Sequence, residues 1–194
     1  MTKPENPDNQ RLEFGRRIRQ LRRDKGWTLA ELAQRAGLAL STISKAERGI
    51  IALTYDRLAL LAKGLEVDMA AFFSAEGKSF TPGSFAVARK GDFRRQETRN
   101  YVYEMLFPEL WHKSMSPMMG TLKARDVMDF EEFVRHPGQE FLVVMEGSVT
   151  VHVEGREPVT LSQGDSIYFD SAIGHLYSSD GEKDARILVV CTAN

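Results

Sequence analysis

Five arginines, Arg16, Arg17, Arg19, Arg22 and Arg23, fall within eight residues of the N-terminal third. Guanidinium groups at that density either coat a solvated helix face or meet the phosphates of a polyanion. The next stretch of chain favours phosphates. From Thr28 to Gly49 it reads TLAELAQRAGLALSTISKAERG, and its hydroxyls and cations (Thr42, Ser44, Lys45, Arg48) lie beside a short glycine-containing turn. Hydroxyls and cations on a protruding helix are groups that can meet DNA phosphates and base edges.

Such groups act only if helices hold them. Leu12 to about Lys25 repeats Phe14, Ile18 and Leu21 at helical spacing, and Gly26 ends that helix. Thr28-Leu29-Ala30-Glu31 is a capping box for the next helix, which buries Leu29, Leu32, Ala33 and Ala36 and stops at Gly37. After Leu38-Ala39 another helix turns Ile43, Ala46 and Glu47 inward, with Gly49 as its stop. Ala33 and Ala46 are small where the two would meet, so a steep crossing is predicted. This is helix-turn-helix geometry, in which the second helix can enter a major groove. Thr54 then caps a helix with Leu58, Leu61 and Ala62, Gly64 closes it, and VDMAAFF opens a last short one. The expectation is a compact five-helix all-α bundle.

Composition agrees with this division of labour. Residues 1–74 hold 13 Lys and Arg against 9 Asp and Glu, a net of +4, whereas residues 75–194 hold 13 against 18, a net of −5. The first part suits a polyanion and the second does not. The single cysteine, Cys191, excludes an intrachain disulfide framework and points to a reducing, cytoplasmic compartment. No apolar run approaches membrane-spanning length, and the start of the chain, MTKPENPDNQ, lacks the apolar core of a signal peptide. Residues 1–11 read as a flexible polar tail.

Residues 12–74 resemble the lambda-repressor-like DNA-binding domains of XRE-type regulators, through RRIRQLRRDKGWTLAELAQRAGL, STISKAERG and LTYDRLALLAKGLEV. The resemblance implies that Glu47 is partly buried and pairs with Arg22. It also implies DNA contacts at Thr28, Leu40, Ser41, Thr42, Ser44, Lys45 and Arg48. Two positions depart from the family pattern. Ala39 stands where a Ser or Thr cap is usual, and Leu40 stands where glutamine often reads a base. Leucine offers a thymine methyl an apolar contact but no hydrogen bond.

Residues 75–84, AEGKSFTPGS, mix Gly, Pro and Ser without periodicity and read as a linker. Beyond it FAVARK, NYVYEMLF, MMGTLKA, FLVVME, SVTVHVE, SIYFD and ARILVV are short β-rich runs, consistent with a sandwich or a barrel. Two stretches, EEFVRHPGQEFLVVMEG and GDSIYFDSAIGH, resemble the first and second cupin motifs. The implied fold for residues 85–194 is an all-β double-stranded β-helix, a jelly-roll-type barrel, giving an α + β two-domain chain. The family pattern implies that His136, Glu140 and His175 converge at the barrel mouth. Val134 replaces the pattern's first histidine, and Asp170-Ser171-Ala172 replaces its Pro-x-Gly. Two imidazoles and one carboxylate suit a divalent metal, Fe, Zn or Ni, or they hydrogen-bond within a polar pocket. His112 and His152 lie outside both motifs and read as surface residues. Tyr101, Tyr103, Met105, Met119, Phe133 and Tyr168 are placed on strand positions that could line a small-ligand pocket.

The resemblance implies a cytoplasmic, sequence-specific transcriptional regulator that binds double-stranded DNA as a homodimer, two half-sites matching two copies of the motif. Its cupin domain would bind a small-molecule effector. The alternative is a non-haem Fe(II) cupin enzyme resembling hydroxypropylphosphonate epoxidase, which shares the two-domain order. It also shares a segment like His136-Pro137-Gly138-Gln139-Glu140 and a strand like Asn100-Tyr101-Val102-Tyr103.

Overall fold

The structure, a computed structural model, describes residues 7–74 and 77–192. Two compact units divide this chain: residues up to Val87 together with Pro108–Lys113, and Ala88–Phe107 together with the residues from Ser114 onward.

In the first unit, α1 (Pro7–Asp24), α2 (Leu29–Ala36), α3 (Leu40–Glu47) and α4 (Tyr55–Leu65) close over Phe14, Ile18, Leu32, Ile43, Leu53, Leu58, Leu61 and Leu65. The expected capping box is present: the Thr28 hydroxyl accepts from the Glu31 amide at 3.2 Å, and the Glu31 carboxylate accepts from the Thr28 amide at 2.7 Å. Gly37 ends α2 in the left-handed region at φ 65. Two expectations need correction. The fifth helix is a 3-10 turn, Met69–Phe72, capped by Asp68. Only a few residues lie between the left-handed Glu66 (φ 55) and the end of the turn at Phe73, too few to repay the nucleation of an α-helical ladder. The tail reading over residues 1–11 also fails from Pro7 onward, because α1 begins there; residues 1–6 lie outside the described residues. Within this unit β1 (Lys78–Ser79) pairs in parallel with β4 (Leu110–Trp111).

The second unit is all β. Its strands are β2 (Phe93–Glu97), β3 (Tyr101–Leu106), β5 (Met115–Leu122), β6 (Gln139–Glu146), β7 (Ser148–Val153), β8 (Val159–Ser162), β9 (Ser166–Asp170), β10 (His175–Ser179) and β11 (Ala185–Thr192). They form a six-stranded sheet, in the order β2-β3-β5-β11-β6-β9, and a three-stranded sheet, β10-β7-β8. The expected barrel is therefore two sheets: among the described residues the hydrogen-bonded ladder does not run around a full circuit. The inner faces meet over Met105, Met118, Leu122, Leu142, Val144, Val149, Val151, Leu161, Tyr177, Ile187 and Val189.

The segment FAVARK is not a strand, and Phe85 and Val87 stand 90% and 62% exposed. Its residue types favour a pleated surface, but β propensity acts only where a neighbouring strand takes up the backbone groups. The polar run FRRQE becomes the edge strand β2 instead, where charged side chains suit solvent.

Candidate functional site

Two places bring chemically capable side chains together. In the helical unit, α3 is held against α1 at unusually close range. A Cβ added to Gly15 would lie 2.4 Å from the Ala46 carbonyl oxygen, so only glycine permits this approach. Beside it, Arg22 grips Glu47 with two parallel bonds of 2.6 and 2.8 Å and donates a third, of 2.7 Å, to the Trp27 carbonyl. Both side chains are about nine-tenths buried, and the carboxylate holds the guanidinium above its ordinary value. This lock fixes the inner face of α3. Arg17 is also structural, donating to the Ala71 carbonyl at 2.8 Å, while Arg16, Arg19 and Arg23 remain exposed.

With Ile43, Ala46 and Glu47 buried, helical spacing turns Ser41, Ser44, Lys45 and Arg48 away from them, and Leu40 is exposed because it opens the helix. Leu40, Ser41, Lys45 and Arg48 are exposed, Thr42 and Ser44 half-buried. Arg48 folds back to donate to the Ser44 carbonyl at 3.2 Å. Ala39 occupies the cap position in extended conformation and supplies no side-chain bond to the helix amides. Thr28, exposed at the start of α2, uses its hydroxyl in the capping box.

In the β unit, His136, Glu140 and His175 are brought together and each is at least 96% buried. Gly138 makes this local turn feasible: it sits at φ 98, and a Cβ there would come within 2.3 Å of the Thr192 carbonyl oxygen. His136 thereby faces Glu140 on β6, with Nε2 3.0 Å from Oε2. His175 opens β10, bridged to Val134, and its Nε2 lies 3.6 Å from the same oxygen. The outer ring nitrogens face backbone carbonyls, His136 Nδ1 that of Pro137 at 3.3 Å and His175 Nδ1 that of Ile173 at 2.9 Å. A carbonyl accepts only, so each Nδ1 carries a hydrogen, and each Nε2 is left facing the Glu140 carboxylate.

The remaining neighbours of Glu140 were not legible as site residues. The Tyr177 hydroxyl donates to Oε1, and Cys191 Sγ donates to Oε2 at 3.4 Å. Phe169 packs its ring 5.0 Å from that of His175. Cys191 and Phe169 are the direct cross-strand partners of Glu140 on β11 and β9, so all three share one face. Burial pushes the Glu140 carboxyl up, but His136, His175 and Tyr177 together outweigh it and hold the group below the usual carboxylate range. Burial first, and then the Glu140 charge, push the Tyr177 phenol well above its ordinary value. Burial alternates strictly along β11 and turns Cys191 inward, but the nearly continuous apolar run ARILVVC carries no such alternation in the sequence.

The suggested pocket residues divide. Tyr101, Tyr103 and Met105 pair with the buried Leu122, Gly120 and Met118 and so face inward. Tyr101 is fastened, its hydroxyl donating to the Tyr177 carbonyl at 2.9 Å and accepting from the Tyr177 amide at 3.0 Å. Phe133 is half-buried against Gly174. Tyr168 is 64% exposed and donates to Gln139, and Met119 lies on the face opposite the buried Met118. Placing Tyr168 in the pocket is off by one residue: neighbouring strand positions point to opposite faces, and Phe169 takes the inward one. Of the other histidines, His152 is half-buried with Nε2 3.0 Å from the Ser178 hydroxyl, and His112 is exposed beside Ser79.

Residues 18–72 match the helix-turn-helix family model and residues 129–191 the cupin domain model. Among curated proteins the chain is 28% identical to the HTH-type transcriptional regulator SutR of Escherichia coli (strain K12) over 169 residues, 86% of each chain. It is 22% identical to the HTH-type transcriptional regulator PuuR of the same organism, over 91% of this chain and 93% of that one. Among solved structures it resembles an HTH_3 family transcriptional regulator from Vibrio cholerae, with TM-score 0.64 and 23% identity over 96% of this chain and 98% of that one. It also shares a fold with hydroxypropylphosphonic acid epoxidase from S. wedmorenis, with TM-score 0.51 and 21% identity over 93% and 97%. No helix among the described residues is long and apolar enough to cross a membrane.

Proposed function

We infer that this chain, which joins an XRE-type helix-turn-helix domain to a C-terminal cupin domain, is a sequence-specific DNA-binding transcriptional regulator whose cupin domain binds a small-molecule effector. The observation that carries the DNA half is the outward face of α3, held rigid from behind by the buried Arg22–Glu47 pair. Residues 12–74 are the DNA-binding domain in this reading and 85–194 the sensing domain. Ser41, Ser44 and Lys45 approach base edges or backbone, Leu40 a thymine methyl, and Thr28, Thr42 and Arg48 the phosphates. A single short helix offers few base contacts, so the protein works as a homodimer on two half-sites about one helical turn apart. A DNA target and a single cysteine support a cytoplasmic location. An effector acts by binding the DNA-competent and incompetent arrangements with different affinity.

The donor set in the β unit fits a divalent metal. His136 and His175 turn their Nε2 atoms toward one oxygen of an ionised carboxylate, an arrangement a cation at that point would stabilise. His136, Glu140 and His175 would hold it, and imidazole with carboxylate suits Fe, Zn or Ni. Bound there, the metal would supply a Lewis-acidic position for an effector's oxygen or nitrogen donor. The same three residues favour the second reading, a non-haem Fe(II) enzyme, in which they would bind iron and leave sites open for substrate and oxygen.

The test of the first reading is retardation of the protein's own promoter region by the purified protein, with affinity falling steeply as salt rises because phosphate contacts release counterions. Failure to bind any DNA of its own genome at low salt would overturn it. Metal-free protein with an intact fold would eliminate the enzyme reading.

A further inference from the structure

We propose that Cys191 is a thiolate ligand of the metal held at His136 and Glu140, supplying the donor that Val134 cannot. The inference rests on the reading that this cluster binds a metal. Cys191 Sγ and one ligating atom each of His136 and Glu140 all lie within 4.8 Å of one another, and all three residues are buried. The thiol reaches Glu140 Oε2, the oxygen that also faces both Nε2 atoms, so one cation at that oxygen is within reach of nitrogen, oxygen and sulfur together. The placement is enforced by the backbone. Cys191 pairs directly with Glu140 on one side and Ser116 on the other, in a strand bonded to neighbours on both edges.

A buried cysteine most often fills space as a small apolar group. The preceding inward positions of β11, Ala185, Ile187 and Val189, do that. Cys191 instead meets a carboxylate and sits beside imidazole, and a cation bound among these groups would draw the proton from its thiol. A sulfur–metal bond then replaces the sulfur–hydrogen bond, and the proton leaves to solvent with no electron transferred. A thiolate beside imidazole and carboxylate selects zinc, iron(II) or cobalt(II) over magnesium, calcium or manganese.

Cobalt(II), added anaerobically to the purified full-length protein, reads the ligands directly. The chain has one cysteine, so any thiolate-to-cobalt charge-transfer band in the near ultraviolet originates at Cys191. The expected result is stoichiometric cobalt with that band, loss of the band but not of all cobalt in Cys191→Ser, and loss of cobalt in His136→Ala. Wild-type protein that binds cobalt without the band would overturn the thiolate ligand and leave the metal reading standing. Wild-type protein that takes up no cobalt would overturn the metal reading itself. Neither decisive outcome depends on a variant that folds.

Discussion

The buried pair Arg22–Glu47 is where the helical unit is most vulnerable to single changes. Removing one partner leaves the other ionised away from water. Glu47→Ala should therefore destabilise this unit by about 3–5 kcal/mol in denaturant unfolding, and Arg22→Met combined with Glu47→Leu should cost much less. Equal losses from the single and double variants would show that the pair matters for shape and not for charge. On the outer side of α3, Lys45→Ala should weaken operator binding more than binding to unrelated DNA; an equal loss on both would assign Lys45 to a phosphate. Legibility in the sequence differs between the two faces of this unit. The Arg22–Glu47 pairing could be expected from family register, and the structure reproduces it with both bonds. The five-arginine cluster is less uniform than its sequence suggests, because Arg17 and Arg22 are taken up by backbone and carboxylate within the bundle.

At the level of elements, α3 is a helix without a side-chain cap and α1 one with a glycine in its middle. Ala39 already has the extended backbone of a cap residue, φ −60 and ψ 137, so Ala39→Ser needs no rearrangement and should raise stability by about 1 kcal/mol. Chemical denaturation of the two proteins would measure it, and no gain would mean the hydroxyl cannot reach the first-turn amides. Gly15→Ala should act in the opposite sense. Helix propensity alone would favour alanine, but its methyl group would collide with the Ala46 and Glu47 carbonyls at 2.4 and 2.8 Å. The expected loss is about 1–3 kcal/mol, the cost of overpacking. A net gain would show that α1 and α3 can part freely. In the β unit the edge strand β2 and the short strands β8 and β10 are not legible in the sequence, because FRRQE, VTLS and HLYSS each hold at most two apolar residues, fewer than SIYFD of β9.

For the whole molecule, a metal that binds only the folded state raises the free energy of unfolding. Zinc or cobalt(II) at a hundredfold excess over its dissociation constant should add about 2.7 kcal/mol, seen as a raised thermal midpoint that a chelator reverses. His136→Ala should show no such rise. A metal-induced rise that survives His136→Ala would place the ion elsewhere.

The sequence by itself determined the two halves, the helix-turn-helix and its capping box, the inner faces of the helices, and the cupin assignment that named His136, Glu140 and His175. These are written in local spacing, which fixes helices, caps and motif distances without reference to the rest of the chain. Only the tertiary structure decided that Cys191, Tyr177 and Phe169 complete the surroundings of Glu140, that Tyr168 faces solvent, and that Phe85–Lys90 stays outside the sheets. Those facts depend on which strand lies beside which and in what register. Register is set by pairing between residues as far apart as Glu140 and Cys191, and shifting it by one position reverses every side chain.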